Sequence, residues 1–110
     1  MSTFICIKDL PSNKGRPFNP KRFIEKKSID SKISGIFFYS NSVIELADKN
    51  ISDRWINYSQ KQNIPLYACR NSLVSRNILK KINPLIQVSG LGKLLEGVIT
   101  SKKTLVIGKI

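Results

Sequence analysis

A chain of 110 residues has the length of one domain, and its 41% hydrophobic and 24% charged residues place it among globular sequences rather than disordered ones. The lack of any histidine removes Ser-His-Asp and Cys-His catalysis, HExxH zinc sites and histidine general bases together, and the two cysteines form no CxxC pair and are too few for a disulfide-stapled secreted domain. A net charge of +12 has two readings that composition does not separate: a polyanionic partner, or drift toward Lys, Ile and Asn, whose codons are A/T-rich.

Taken in chain order, Thr3-Phe4-Ile5-Cys6-Ile7 is a short apolar run without alternation, which predicts a strand buried on both faces. It is too short to act as a signal peptide, and no run approaches the roughly 18 apolar residues of a bilayer span, so the expectation is a soluble, cytoplasmic protein without membrane contact. Asn19 as N-cap and Pro20 at the first helical position start a helix over 20–33, although its apolar spacing is irregular. Gly35-Ile36-Phe37-Phe38-Tyr39 is the second strand. Ile51, Trp55 and Tyr58 form a helical stripe opened by Asn50 or Ser52.

Pro65-Leu66-Tyr67-Ala68-Cys69 is the third strand, followed directly by a helical stripe of Val74, Ile78, Leu79 and Ile82. Pro84-Leu85-Ile86-Gln87-Val88 is a weaker fourth strand. Leu91, Leu94, Leu95, Val98 and Ile99 recur at i, i+3, i+4, i+7 and i+8, predicting a helix capped by Ser89 and ended by Lys102 and Lys103 in its last turn. Thr104-Leu105-Val106-Ile107-Gly108 is the fifth strand. Five strands alternating with four helices argue for an open parallel sheet covered on both faces, in a single domain over 1–110.

Cys69 falls at the carboxyl end of a strand and before a helix, where open α/β sheets place reactive groups. A helix N-terminus and the adjacent Arg70 both favour a thiolate there; the competing reading is a buried structural cysteine. Cys6, in the middle of an apolar run, reads as core, and a Cys6–Cys69 disulfide is disfavoured in a reducing compartment. Ser89-Gly90-Leu91-Gly92-Lys93 superficially resembles a phosphate loop, yet GxGxxG needs glycine at Leu95 and a Walker A sequence needs Ser or Thr at Leu94. Its glycines read better as allowing tight strand-to-helix packing. Lys14, Arg16, Lys21, Arg22, Lys26 and Lys27, interleaved with Phe18 and Phe23, suit a docking surface for RNA or an acidic partner, or a solvated basic loop. Glu45 and Asp48 read as helix electrostatics rather than an acid–base pair.

Three segments in fixed order resemble the DsrE/TusD family of sulfur-relay subunits: Phe37-Phe38-Tyr39, Asp53-Arg54-Trp55 leading to Cys69, and Val88-Ser89-Gly90-Leu91-Gly92-Lys93-Leu94-Leu95-Glu96, with Lys103 to Gly108 similar to the family's last strand. The resemblance covers roughly 35–108. It implies a flavodoxin-like three-layer α/β fold with a five-stranded parallel sheet, and cytoplasmic oligomers built from sister subunits or from copies of one chain. It further implies a sulfurtransferase whose active cysteine falls on Cys69, with Arg70 and Arg76 stabilising the thiolate or persulfide anion and Ser89, Gly90 and Gly92 shaping the neighbouring turn. Small sulfur-carrier proteins would be donor and acceptor, tRNA a further partner, and no metal or cofactor is required. Thiolation of the tRNA wobble uridine, sulfur oxidation of the DsrE type, and a non-catalytic scaffold or RNA-binding subunit are the roles this leaves open.

Overall fold

The computed structural model describes residues 2–9, 19–25 and 32–108. Its elements are β1 (Ser2–Ile7), α1 (Pro20–Glu25), β2 (Lys32–Phe38), α2 (Ser42–Leu46), α3 (Lys49–Gln62), β3 (Leu66–Cys69), α4 (Arg70–Ser75), β4 (Gln87–Ser89), α5 (Leu91–Thr100) and β5 (Lys103–Ile107), with a 3-10 turn at Leu79–Lys81. The five strands form one all-parallel sheet in the order β4-β3-β2-β1-β5. This is the open parallel sheet covered on both faces that the alternating pattern predicts, in the flavodoxin-like three-layer form that the resemblance implies.

The order decides which face each helix covers. From β1 to β4 the chain steps one way across the sheet, so right-handed crossovers put α1 to α4 on one side. The return from β4 to β5 passes over three strands and puts α5 on the other. Side-chain alternation divides the core in the same way. Ile5, Ile7, Ile36, Phe38, Leu66 and Ala68 pack with Ile24, Val43, Leu46, Trp55, Ile56 and Leu73 of α1 to α4. Phe4, Cys6, Phe37, Tyr67 and Cys69 point the opposite way, with Tyr39 and Leu94 of α5 against them.

Several boundaries differ from the sequence reading. Lys32 and Ile33 belong to β2, so the first helix does not reach Ile33. A short α2 precedes α3 and had no sequence signal. Asp48 caps α3, its carboxylate accepting from the N–H groups of Asn50 (2.9 Å) and Ile51 (3.4 Å); neither Asn50 nor Ser52 is the cap. The stripe from Val74 to Ile82 is not one helix, because α4 ends at Ser75 and Asn77 turns into the left-handed region at φ 55°. Pro84 and Leu85 form a turn in which the Asn83 side chain accepts from Leu85 N–H at 2.9 Å, leaving a three-residue β4. Gly90, not Ser89, is the N-cap of α5, and the helix stops at Thr100 before Lys102 and Lys103. Lys103 instead opens β5.

Of the basic N-terminal stretch, Lys14, Arg16, Phe18, Lys26 and Lys27 lie outside the described residues. Phe23 is not an exposed stacking platform: it is half-buried and packs edge-on against Trp55 at 6.2 Å. Among the described residues no helix is long and apolar enough to cross a membrane.

Candidate functional site

Cys69 is the last residue of β3 and the N-cap of α4, at φ −68° and ψ 120°. The strand ends there because α4 begins at Arg70 without an intervening loop. Alternation along Leu66-Tyr67-Ala68-Cys69 turns the thiol toward the α5 face, where it packs in the cluster of Phe4, Cys6, Phe37 and Tyr67. It is 5% exposed. The cover includes Tyr39, after β2, and Leu94, both partly buried against the same cluster. Lys93 holds the first half of α5 down, its ammonium 5.1 Å from the centre of the Tyr67 ring and 3.4 Å from Glu96. Its role is thus a clamp on the sheet.

Cys6 shares this face but differs chemically. Burial pushes its thiol from near 9.0 up to about 11, so at neutral pH it is fully protonated and has no nucleophilic form. The Tyr39 phenol is also raised, by its own burial first and then by Cys6 and the Asp9 carboxylate, and it lies over this end of β1 as a neutral group. Both cysteines are free. They cannot join without rearrangement, because β2 lies between β1 and β3 and two strand spacings place the backbones roughly 9.5 Å apart, beyond disulfide reach.

The remaining residues singled out in the sequence fall around Cys69 unevenly. Ser89 is its direct neighbour across the β3–β4 ladder. Arg70 follows it and is exposed. Arg76 is occupied elsewhere: its guanidinium donates to Asn41 Oδ1 at 3.0 Å and to the Ser72 carbonyl at 3.2 Å. With Ser72 Oγ accepting from Ser40 N–H at 2.9 Å, this clamps the turn after β2 onto α4, next to the Tyr39 that packs against the cluster holding the thiol. Gly90 and Gly92 do not serve tight packing, since a Cβ at either would meet nothing within 4 Å.

The glycine that packing does require is Gly97, where a Cβ would stand 2.5 Å from the Phe4 ring. Sequence reasoning missed it because its signal, a glycine inside an apolar helix, was masked by the stronger stripe around it. Tyr39 was noted only as part of a strand, although an aromatic residue immediately after the carboxyl end of a strand neighbouring β3 was legible as a lid for the edge. The thiol lies two strands from the point beside β1 and β5 where the strand order reverses.

What this arrangement supplies is one thiol at the carboxyl edge of a parallel sheet, with a second thiol nearby that is chemically silent. Among the described residues no cluster of three His, Cys, Asp or Glu side chains is placed to hold a metal. No family model matches the sequence, and no curated protein matches it. Among solved structures the chain is similar to the ychN protein from E. coli, with a TM-score of 0.69 and 18% identity, over 97% of this chain and 100% of that one. At that identity the likeness is one of fold alone.

Proposed function

We propose that this chain is a sulfurtransferase subunit that carries a persulfide on Cys69 and passes it toward 2-thiouridine formation at the tRNA wobble position. The observation that carries this is the place of Cys69, the last residue of β3 at the carboxyl edge of the sheet, with Arg70 next in the chain. The fold shared with a DsrE-like protein supports the same reading.

The chemistry is a pair of displacements. Cys69 thiolate attacks the outer sulfur of a donor persulfide R–S–SH; the new bond is Sγ–S, the donor S–S bond breaks, and R–S⁻ leaves. An acceptor thiolate then attacks the outer sulfur of Cys69–S–SH and expels Cys69 thiolate. No net oxidant or reductant enters either step. Arg70 sits next to the anion, and Ser89 flanks it across the ladder. Because Cys69 is 5% exposed, the donor must first displace part of the cover over its cluster, to which Tyr39 and Leu94 contribute. On the far side of α5, Leu95 (60% exposed), Val98 and Ile99 (79%) leave an uncovered apolar strip, which supports a sister subunit or a second copy packing there.

The test is intact mass after incubation with a cysteine desulfurase, cysteine and a small sulfur-carrier protein. Wild type should gain one reducible sulfur and Cys69→Ala none. No gain by a folded, reduced wild type would sink the proposal. It would favour a second reading, a non-catalytic scaffold or RNA-binding subunit, which the burial of Cys69 already favours. A DsrE-type sulfur-oxidation carrier would also gain the sulfur, but would pass it to no tRNA-thiolating acceptor.

A further inference from the structure

On the opposite face of the sheet from the Cys69 side chain, α1 and α3 enclose a cavity of about 360 Å³. Lys21 of α1 lines one wall, and Arg54, Asn57, Tyr58, Lys61 and Gln62 of α3 line the other; among the described residues no carboxylate lines it. We propose that this cavity is a binding site for single-stranded RNA.

Three features of the lining argue for that ligand class. Arg54, Asn57, Tyr58 and Lys61 stand at i, i+3, i+4 and i+7, a single stripe along two turns of α3. At 1.5 Å per residue, Arg54 and Lys61 are separated by about 10 Å along the helix, more than one phosphate fills and suited to a strand carrying successive phosphates. Tyr58 lies between these cations; its ring, like that of Phe23, is half-buried and edge-on against Trp55 at 6.1 Å, but unlike Phe23 it lines the groove, where its uncovered part can meet a base. Burial, and secondarily the Glu25 carboxylate, push the Tyr58 phenol above its ordinary value, so it stays neutral and keeps its hydrogen-bonding hydroxyl. Asn57 and Gln62 add amides that donate to phosphate or base edges. The net charge of +12 supplies the long-range attraction that brings a polyanion to the groove.

The site is independent of the persulfide proposal, because α3 packs on the sheet face away from the thiol. The experiment is fluorescence anisotropy of a short labelled oligouridylate over a salt series. It compares wild type, the groove variant Lys21→Gln/Arg54→Gln/Lys61→Gln, and an equal-charge control, Lys80→Gln/Lys102→Gln/Lys103→Gln, whose three lysines are exposed and lie off the cavity. All six positions are on the surface, and thermal unfolding checks that each variant folds.

Loss of three phosphate contacts should flatten the dependence of log affinity on log salt by about 2 in the groove variant, while the control keeps the wild-type slope. Tyr58→Leu should weaken binding about tenfold or more with the slope unchanged. A groove variant indistinguishable from the control would overturn the proposal. So would displacement of the RNA by oligoglutamate as readily as by unlabelled RNA, which would make the groove an acidic-peptide site. Full competition by uridine monophosphate at the same phosphate concentration would make it a single-nucleotide pocket.

Discussion

Replacing Gly97 by alanine should damage the cover over Cys69, and replacing Gly92 on the same helix should not. At Gly97 the added methyl stands 2.5 Å from two carbons of the Phe4 ring, well inside van der Waals distance. Phe4 is 3% exposed and also lies 3.0 Å from the Cβ position of Gly35, so the ring can yield only toward the small cavity that it lines with Gly97, Tyr67 and Lys93. Overpacking of this kind costs about 1–3 kcal/mol. Alanine also gains up to about 1 kcal/mol of helix propensity over glycine, but Gly92→Ala gains from the same source with open space around it, so the comparison largely removes that contribution. Gly97→Ala should therefore be less stable than Gly92→Ala by about 1–3 kcal/mol in urea unfolding, a midpoint difference near 1 M at a typical slope. As α5 is pushed from the sheet, alkylation of Cys69 in the native state should speed up. Equal stability of the two variants, with equal thiol reactivity, would refute the seating of α5 on Phe4.

Removing the lid rather than lifting the helix should also free the thiol: Tyr39→Ala should raise the iodoacetamide rate at Cys69 severalfold, measured at native-state stability, and an unchanged rate would mean the ring is not the barrier. In Cys69→Ala the remaining thiol should be unreactive at pH 7 and gain about tenfold per pH unit up to about 11. Because the folded value is raised, the Cys6 contribution to stability is complete below 9.0 and is lost as pH rises from there toward about 11; the stability gap between wild type and Cys6→Ala should narrow over that window in unfolding titrations. Ser42→Ala should cost about 1–2 kcal/mol, since its fully buried hydroxyl serves the Ile7 carbonyl (2.6 Å) and the Tyr39 carbonyl (2.8 Å), and loss below about 0.5 kcal/mol would mean that the backbone N–H groups of Tyr39 (3.1 Å) and Ser42 (3.3 Å) already satisfy those carbonyls.

The central strands were legible because burial on both faces leaves a continuous apolar run: Phe4 to Ile7, Ile36 to Phe38 and Leu66 to Cys69 are all buried. β4 was misplaced for the opposite reason, since an edge strand with exposed Gln87 and Val88 carries no such run, and Leu85, read as part of it, lies 62% exposed in a turn. α5 shows where periodicity misleads. Its apolar stripe predicts an inward face, yet the helix meets the sheet through Leu94 and Gly97, and Leu95 and Ile99 point away. Two faces a third of a turn apart share Val98 and Leu94 in one pattern, and only the Phe4 ring decides between them. The position of Cys69 at a strand end followed from the sequence; its burial did not, because Tyr39 and Leu94 are brought to it by tertiary packing. Arg76 was read as a partner of the anion, whereas its hydrogen bonds to Asn41 and Ser72 depend on a turn with no sequence signal.

The strand order explains why chemistry and charge separate in this molecule. Three consecutive crossovers in one direction stack α1 to α4 on a single face, giving it the larger core, with Trp55 fully buried between Phe23, Phe38 and Tyr58. Between two helices of that layer lies the groove lined by Lys21 and by residues of α3 from Arg54 to Gln62. The other face receives one helix for the whole sheet, and it leaves Val106 of β5 half exposed. This single-helix cover, seated through Leu94 and Gly97 with one cation over an aromatic ring, is thinner than the opposite layer, and that is the face onto which alternation along β3 turns Cys69. Moving the thiol by one residue, as in Cys69→Ala combined with Ala68→Cys, would turn it into the packed layer of Trp55 and Leu73. Such a variant should neither alkylate nor accept sulfur at neutral pH while keeping its fold; sulfur uptake by it would mean that the thin face is not what gives the donor access.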